Sequence, residues 1–116
     1  MSQYMLLLYW DQSQDAATNP EQREAVGAQY AQFTESLVSA NALVGGDPLE
    51  PAVKARSVRG GNGAATVSEG PFAPTDQQLG GYYLIEADSL DQAVERAKDC
   101  PGAQYGTVEV RAVQPM

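Results

Sequence analysis

The sequence predicts an α+β fold, a ferredoxin-like βαββαβ sheet with an added β-hairpin, and three observations lead there. Two short runs, Tyr4 to Trp10 and Tyr82 to Ala87, are apolar at both parities, as central strands are. Two stretches repeat apolar residues at helical spacing behind recognisable caps. Between them a glycine-rich turn joins two alternating segments. At 116 residues the chain suits a single domain over residues 1–116, and folding at this size buries roughly 65% of the unfolded surface. A hydrophobic content of 43% supports that burial and argues against disorder.

In chain order, Tyr4 to Trp10 has the length and aromatic richness of a buried strand, and 11–19 is polar loop. Asn19 is a suitable N-cap, Pro20 suits the first helical position, and Glu21 with Gln22 complements the positive end of the dipole and offers a capping-box partner. Val26, Tyr30, Phe33 and Leu37 then form one apolar stripe, so a helix is expected over about 20–40. The run 41–48 reads as a short strand interrupted by Gly45 and Gly46, followed by a turn. Val53 to Arg59 and Ala64 to Glu69 alternate around Gly60-Gly61-Asn62-Gly63, which predicts a hairpin. Pro71 and Pro74 lack amide donors, so 70–74 is a loop leading to Gly80-Gly81 and the strand that follows. Ser89 and Gln92 make a capping box for a second helix carrying Leu90, Ala93, Val94 and Ala97, which ends near Cys100 and Pro101. The last strand is expected over 105–113, with Val108, Val110 and Ala112 on one face and Tyr105, Thr107, Glu109 and Arg111 on the other.

Two right-handed crossovers put both helices on one side of such a sheet. The other parity of the first strand, Met5, Leu7 and Tyr9, would then lie bare. Leaving several large side chains per strand in water forgoes several kcal/mol at roughly 25 cal/mol per Å², a large share of a domain's net stability. A second copy packed sheet to sheet is the simplest cover, and the expected assembly is a homodimer. The alternative is that the 53–69 hairpin folds back over the bare face.

Composition narrows the function. A net charge of −8 disfavours nucleic acid and anionic membrane surfaces. The longest apolar run is about a third of a membrane span, and no leader-like segment accompanies it, so a cytoplasmic protein is expected. With no histidine and one cysteine, Cys100, no zinc site of Cys/His type is expected, no cofactor is implied, and acid-base chemistry would fall to a perturbed carboxylate, tyrosine, lysine or thiol.

Glu69 precedes Gly70-Pro71, where the ladder must break; half-buried beside Phe72 it would be a candidate acid-base, and otherwise it fixes the turn. Phe72 is either a core plug or a ligand platform. Glu109 and Arg111 share a face, as an ion pair at a subunit contact or with Arg111 clamping an anionic ligand. Tyr9 and Asp11, at the end of the first strand, reach the same region, and Tyr82 joins them as a candidate ligand contact. Lys54, Arg56 and Arg59 are either an anion-attracting hairpin or a guarded strand edge.

The run Glu69-Gly70-Pro71-Phe72-Ala73, then Gln78-Leu79-Gly80-Gly81-Tyr82-Tyr83-Leu84-Ile85-Glu86, and finally Gly106-Thr107-Val108-Glu109-Val110-Arg111, resembles the YCII-related family, specifically its DGPF-domain branch. Tyr4 to Tyr9 and Leu43-Val44-Gly45-Gly46 extend the resemblance over nearly the whole chain. It implies a dimeric α/β barrel of ferredoxin-like protomers, and an association with extracytoplasmic-function sigma factors by analogy alone. Glu69 stands where the branch has aspartate, and the histidine-carboxylate pair of other YCII-related proteins has no counterpart here. Three functions are therefore expected as alternatives: a homodimer binding a small organic ligand in an inter-subunit cavity, an enzyme using Glu69 as acid-base with Arg111 orienting an anionic substrate, or an interaction module linked to a sigma factor.

Overall fold

The computed structural model describes residues 1–13 and 19–115, so residues 14–18 of the expected polar loop lie outside the described residues. Strand β1 (Ser2–Trp10) leads to helix α1 (Pro20–Ser39) and strand β2 (Leu43–Pro48). A 3₁₀ turn at Ala52–Lys54 precedes the hairpin β3 (Arg56–Gly61) and β4 (Ala64–Glu69). Strand β5 (Gln78–Ala87), helix α2 (Leu90–Lys98), a helical turn α3 (Gly102–Tyr105) and strand β6 (Thr107–Ala112) complete the chain. The main sheet runs β2-β5-β1-β6, with every neighbouring pair antiparallel. This is the ferredoxin-like order, with the two apolar runs at its centre as expected.

Helix α1 starts where its cap dictates. The Asn19 side chain accepts from the Gln22 amide at 2.8 Å, and the Gln22 side chain accepts from the Asn19 amide at 3.2 Å. Its core contacts come late: Phe33 and Leu37 are buried, whereas Val26 and Tyr30 are only half-buried. Helix α2 buries Ala93 and Ala97. There Ser89 Oγ accepts from the Gln92 amide at 3.1 Å, while the Gln92 side chain reaches one residue further back and accepts from the Asp88 amide at 2.6 Å.

On the helix side of the sheet Tyr4, Leu6, Leu8, Ile85 and Ala87 are buried, together with Cys100. On the far side Met5, Leu7, Tyr9, Tyr82 and Leu84 are half-buried, and among the described residues no helix or further strand covers them. The thin dimension of the molecule, 18 Å, has room for the sheet and one helical layer. The hairpin does not roof that face. It pairs only with itself, and its cross-strand pair Val58 and Val67 remains 69% and 63% exposed. Its tip is the two-residue turn Asn62-Gly63, both at positive φ, 38° and 83°, which matches the twist of the strands.

Two expected boundaries shift for steric reasons. The last strand begins at Thr107 rather than Tyr105, because Pro101 opens a helical turn that runs to Tyr105. Tyr105 therefore leaves the face shared by Thr107, Glu109 and Arg111 and sets its ring edge-on to Trp10, with centroids 6.0 Å apart. Gly106 follows because a Cβ there would collide with the Tyr9 carbonyl. Strand β5 in turn begins at Gln78, earlier than expected, and absorbs Gly80-Gly81. The register passes from Leu8 opposite Gly81 to Tyr9 opposite Leu79, leaving Gly80 as the extra residue of a bulge.

A Cβ on Gly80 would fall inside the Trp10 ring, whereas a Cβ on Gly45 meets nothing within 4 Å. Replacing Gly80→Ala is therefore expected to cost about 1–3 kcal/mol by overpacking. Gly45→Ala should change stability by less than about 0.5 kcal/mol. Urea unfolding of the two variants checks the contrast.

Candidate functional site

The expected site residues fall into two groups. Tyr9, Tyr82, Glu109 and Arg111 share the bare face of the sheet: Leu7 is flanked by Tyr82 on β5 and Glu109 on β6, Met5 by Leu84 and Arg111, and Tyr9 continues the β1 row beside Thr107. Arg111 and Glu109 approach to 3.8 Å as an ion pair on this face. Both are substantially exposed, so the pair contributes little to the stability of the isolated chain. The Tyr82 hydroxyl donates to the Asp47 carboxylate at 3.0 Å, between directly opposed residues of β5 and β2. Asp11 closes the end of β1 by accepting from the Ser13 amide at 3.0 Å and the Ser13 hydroxyl at 2.6 Å.

Glu69 and Phe72 belong to the base of the hairpin instead. The half-burial that an acid-base role for Glu69 would require is not found: its side chain is 87% exposed and lies 3.9 Å from Arg56. Phe72 is neither a core plug nor inside a cavity; it is 74% exposed, with the Arg59 guanidinium 5.3 Å above its ring. The backbone explains why. Gly70 adopts φ 91°, its amide donates to the Ala55 carbonyl at 2.8 Å and its carbonyl accepts from the Ser57 hydroxyl at 2.8 Å, so the Gly-Pro step closes the hairpin and turns Phe72 outward.

The structure adds a cavity of about 440 Å³ on the helix side, between α1 and the β2-β5 edge. Its walls are Leu8, Trp10, Leu43 and the rings of Tyr30 and Tyr83, and its floor includes the backbone of Gly46 and Gly80-Gly81. Tyr82 and Asp47 border it from the edge, which connects it to the bare face. The space exists because α1 buries only its later half, and because two Gly-Gly pairs in adjacent strands withhold side chains from one patch. Gly46 is opposite Tyr83 and Gly81 opposite Pro48. Sequence reasoning took Gly45-Gly46 as a strand interruption, Gly80-Gly81 as the lead-in to the next strand and Tyr30 as core stripe; the signal available was the coincidence of two glycine pairs on neighbouring strands.

Apart from the Asp47 carboxylate at the rim, the side-chain oxygens of the described lining are hydroxyls. Thr34 Oγ1 and Tyr83 Oη share a hydrogen bond of 3.0 Å, and Tyr30 Oη and Tyr105 Oη share one of 2.6 Å. Burial, aided by the Tyr105 contact, pushes Tyr30 far above the usual phenol range, and burial also raises Tyr83 against the opposing pull of the Thr34 bond. Cys100, buried beside this core, is raised by desolvation, against the pull of the Gly102 amide, and is poorly placed to act as a nucleophile. Among the described residues no three His, Cys, Asp or Glu side chains gather to hold a metal, and no helix is long and apolar enough to cross a membrane.

The YCII-related domain family matches residues 2–116. A Rhizobium meliloti (strain 1021) protein, named only as the uncharacterized protein R00369, is 36% identical over 110 residues, covering 93% of this chain and 89% of its own length. The chain belongs to the YCII-related family.

The raised tyrosines set a pH dependence. The folded state holds the Tyr30 proton more tightly than the unfolded chain does, so this contribution is intact below about pH 10 and is lost as pH rises beyond it. Urea unfolding from pH 8 to 11 is expected to show stability falling above about pH 10. Tyr30→Phe should flatten that fall, while costing about 0.5–1.5 kcal/mol at neutrality for the lost hydrogen bond.

Proposed function

Starting from membership in the YCII-related family, we propose that the chain is a homodimer of the DGPF type that binds a small organic ligand. The observation that carries the dimer is the bare sheet face. Met5, Leu7, Tyr9, Tyr82 and Leu84 lie half-buried side by side, and neither helices nor hairpin cover them. A two-fold copy laid on that face removes this apolar surface from water and shields the Glu109–Arg111 pair, where a close pair of opposite charge is far cheaper to bury than either charge alone. Because Tyr82 and Asp47 belong both to that face and to the rim of the cavity, the second copy borders the mouth of the ligand site, which supports an inter-subunit reading of it.

The branch assignment rests on Glu69-Gly70-Pro71-Phe72-Ala73, whose positive-φ glycine and outward phenylalanine form the hinge of the hairpin. In this reading Glu69 and Phe72 act through the shape of the arm, since both are exposed and neither lines the cavity.

Light scattering on the purified protein at micromolar concentration is expected to give twice the chain mass. Leu7→Glu, which places an unpaired carboxylate at the centre of the contact, should give a folded protein of single mass with an unchanged circular-dichroism spectrum. A wild-type monomer under the same conditions would remove the dimer from this reading.

A further inference from the structure

Resting on the ligand-binding reading above, we propose that the cavity under α1 selects an uncharged small molecule, an apolar ring system bearing one hydroxyl or carbonyl oxygen. The ring system follows from the walls. Trp10 and Tyr83 present aromatic rings, Leu43 closes one side, and Gly46 and Gly80 present bare backbone where side chains would otherwise stand. At about 440 Å³ the space is of the size that holds a whole small ligand.

The oxygen follows from the hydroxyl pair. Thr34 and Tyr83, 3.0 Å apart, use one proton between them, which leaves the second O–H and further lone pairs for a ligand. A single neutral oxygen accepts or donates there without disturbing the pair.

The absence of charge follows from what is missing and what is engaged. Among the described residues no lysine or arginine lines the cavity, so a carboxylate or phosphate entering it would lose its water without gaining a cation. Among the described residues of the lining the carboxylate is Asp47, which is exposed at the rim and accepts from Tyr82 through Oδ2, so it offers an ammonium group no counter-charge within the apolar interior. The upward displacement of both Tyr30 and Tyr83 from the usual phenol range reports the same preference of this interior for uncharged forms. The cations expected to meet an anionic ligand lie elsewhere: Arg111 is paired on the bare face, and Lys54, Arg56 and Arg59 belong to the hairpin and the turn before it.

The chain has one tryptophan, so the Trp10 indole gives one unambiguous signal at the cavity wall in ¹H–¹⁵N spectra. Three probes of the same ring system are titrated against the full chain: 2-naphthalenemethanol, 2-naphthoate and 2-naphthylmethylamine at pH 7. The alcohol is expected to shift the indole signal saturably and to bind at least about ten-fold more tightly than the carboxylate or the amine. Thr34→Val should weaken the alcohol about three- to ten-fold while leaving the free protein's indole signal in place. Equal or tighter binding of the carboxylate or the amine overturns the selectivity while the ligand site stands. Unchanged alcohol affinity in the Thr34 variant overturns the assigned oxygen contact. No saturable shift with any of the three overturns both this inference and the ligand-binding reading.

Discussion

A four-stranded sheet with two helices has one protected side, and this chain places large apolar residues on both. The alternation along β1 makes the asymmetry plain: Leu6 and Leu8 are fully or almost fully buried, while Met5, Leu7 and Tyr9, one residue away each, are left half-covered. The crossovers that bring α1 and α2 to the same side follow from strand twist and offer no third layer, as the 18 Å depth of the molecule records. Whatever this protein does in solution is constrained by that surface, since hydrophobic burial is the largest favourable term a domain of this size has to draw on.

The second organising element is the contact between Trp10 and Gly80. Only a residue without Cβ lets β5 pass over the indole, and the bulge at Gly80 shifts the register so that Tyr9 faces Leu79. The indole then meets Tyr105 edge-on, Tyr105 shares a hydrogen bond with Tyr30, and the end of the central strand is thereby joined through α3 to the middle of α1. This chain of contacts supports α1 at Tyr30, while Phe33, edge-on to Tyr83 at 5.2 Å, and Leu37 anchor its later half on the sheet. The cavity is what remains where the glycines of β2 and β5 face the Tyr30–Thr34 stretch of the helix.

Much of the fold was legible because local chemistry and global topology agree. Asn19-Pro20 with Gln22, Ser89 with Gln92, and Asn62-Gly63 each specify a boundary by a hydrogen bond or a backbone angle, and the structure uses all three. The misreadings share one cause. Tyr105, Gly80 and Phe72 were judged from their own neighbours in sequence, yet Tyr105 is fixed by Trp10 and Tyr30, Gly80 by Trp10, and Phe72 by the closure of the hairpin against Ala55. The bare face could be read because a period of two needs no tertiary information. The cavity was missed, because an empty space is a relation between α1, β2 and β5, at which two glycine pairs in separate segments only hint.

Charge ties the candidate site to the rest of the molecule. With a net charge of −8, the protein's long-range field lowers the local concentration of anions, the same direction as the selectivity proposed for the lining. The cations that remain are largely spent: Lys54 pairs with Glu50, Lys98 with Glu95 and Arg111 with Glu109. An enzyme acting on an anionic substrate would need one of them free inside a desolvated site, where a lone guanidinium or ammonium is costly without its counter-ion. An interior whose walls are hydroxyls and aromatic rings, with its carboxylate Asp47 at the exposed rim, carries no such cost. The same sequence features that rule out a histidine-based site therefore favour one that recognises shape and a single hydrogen bond.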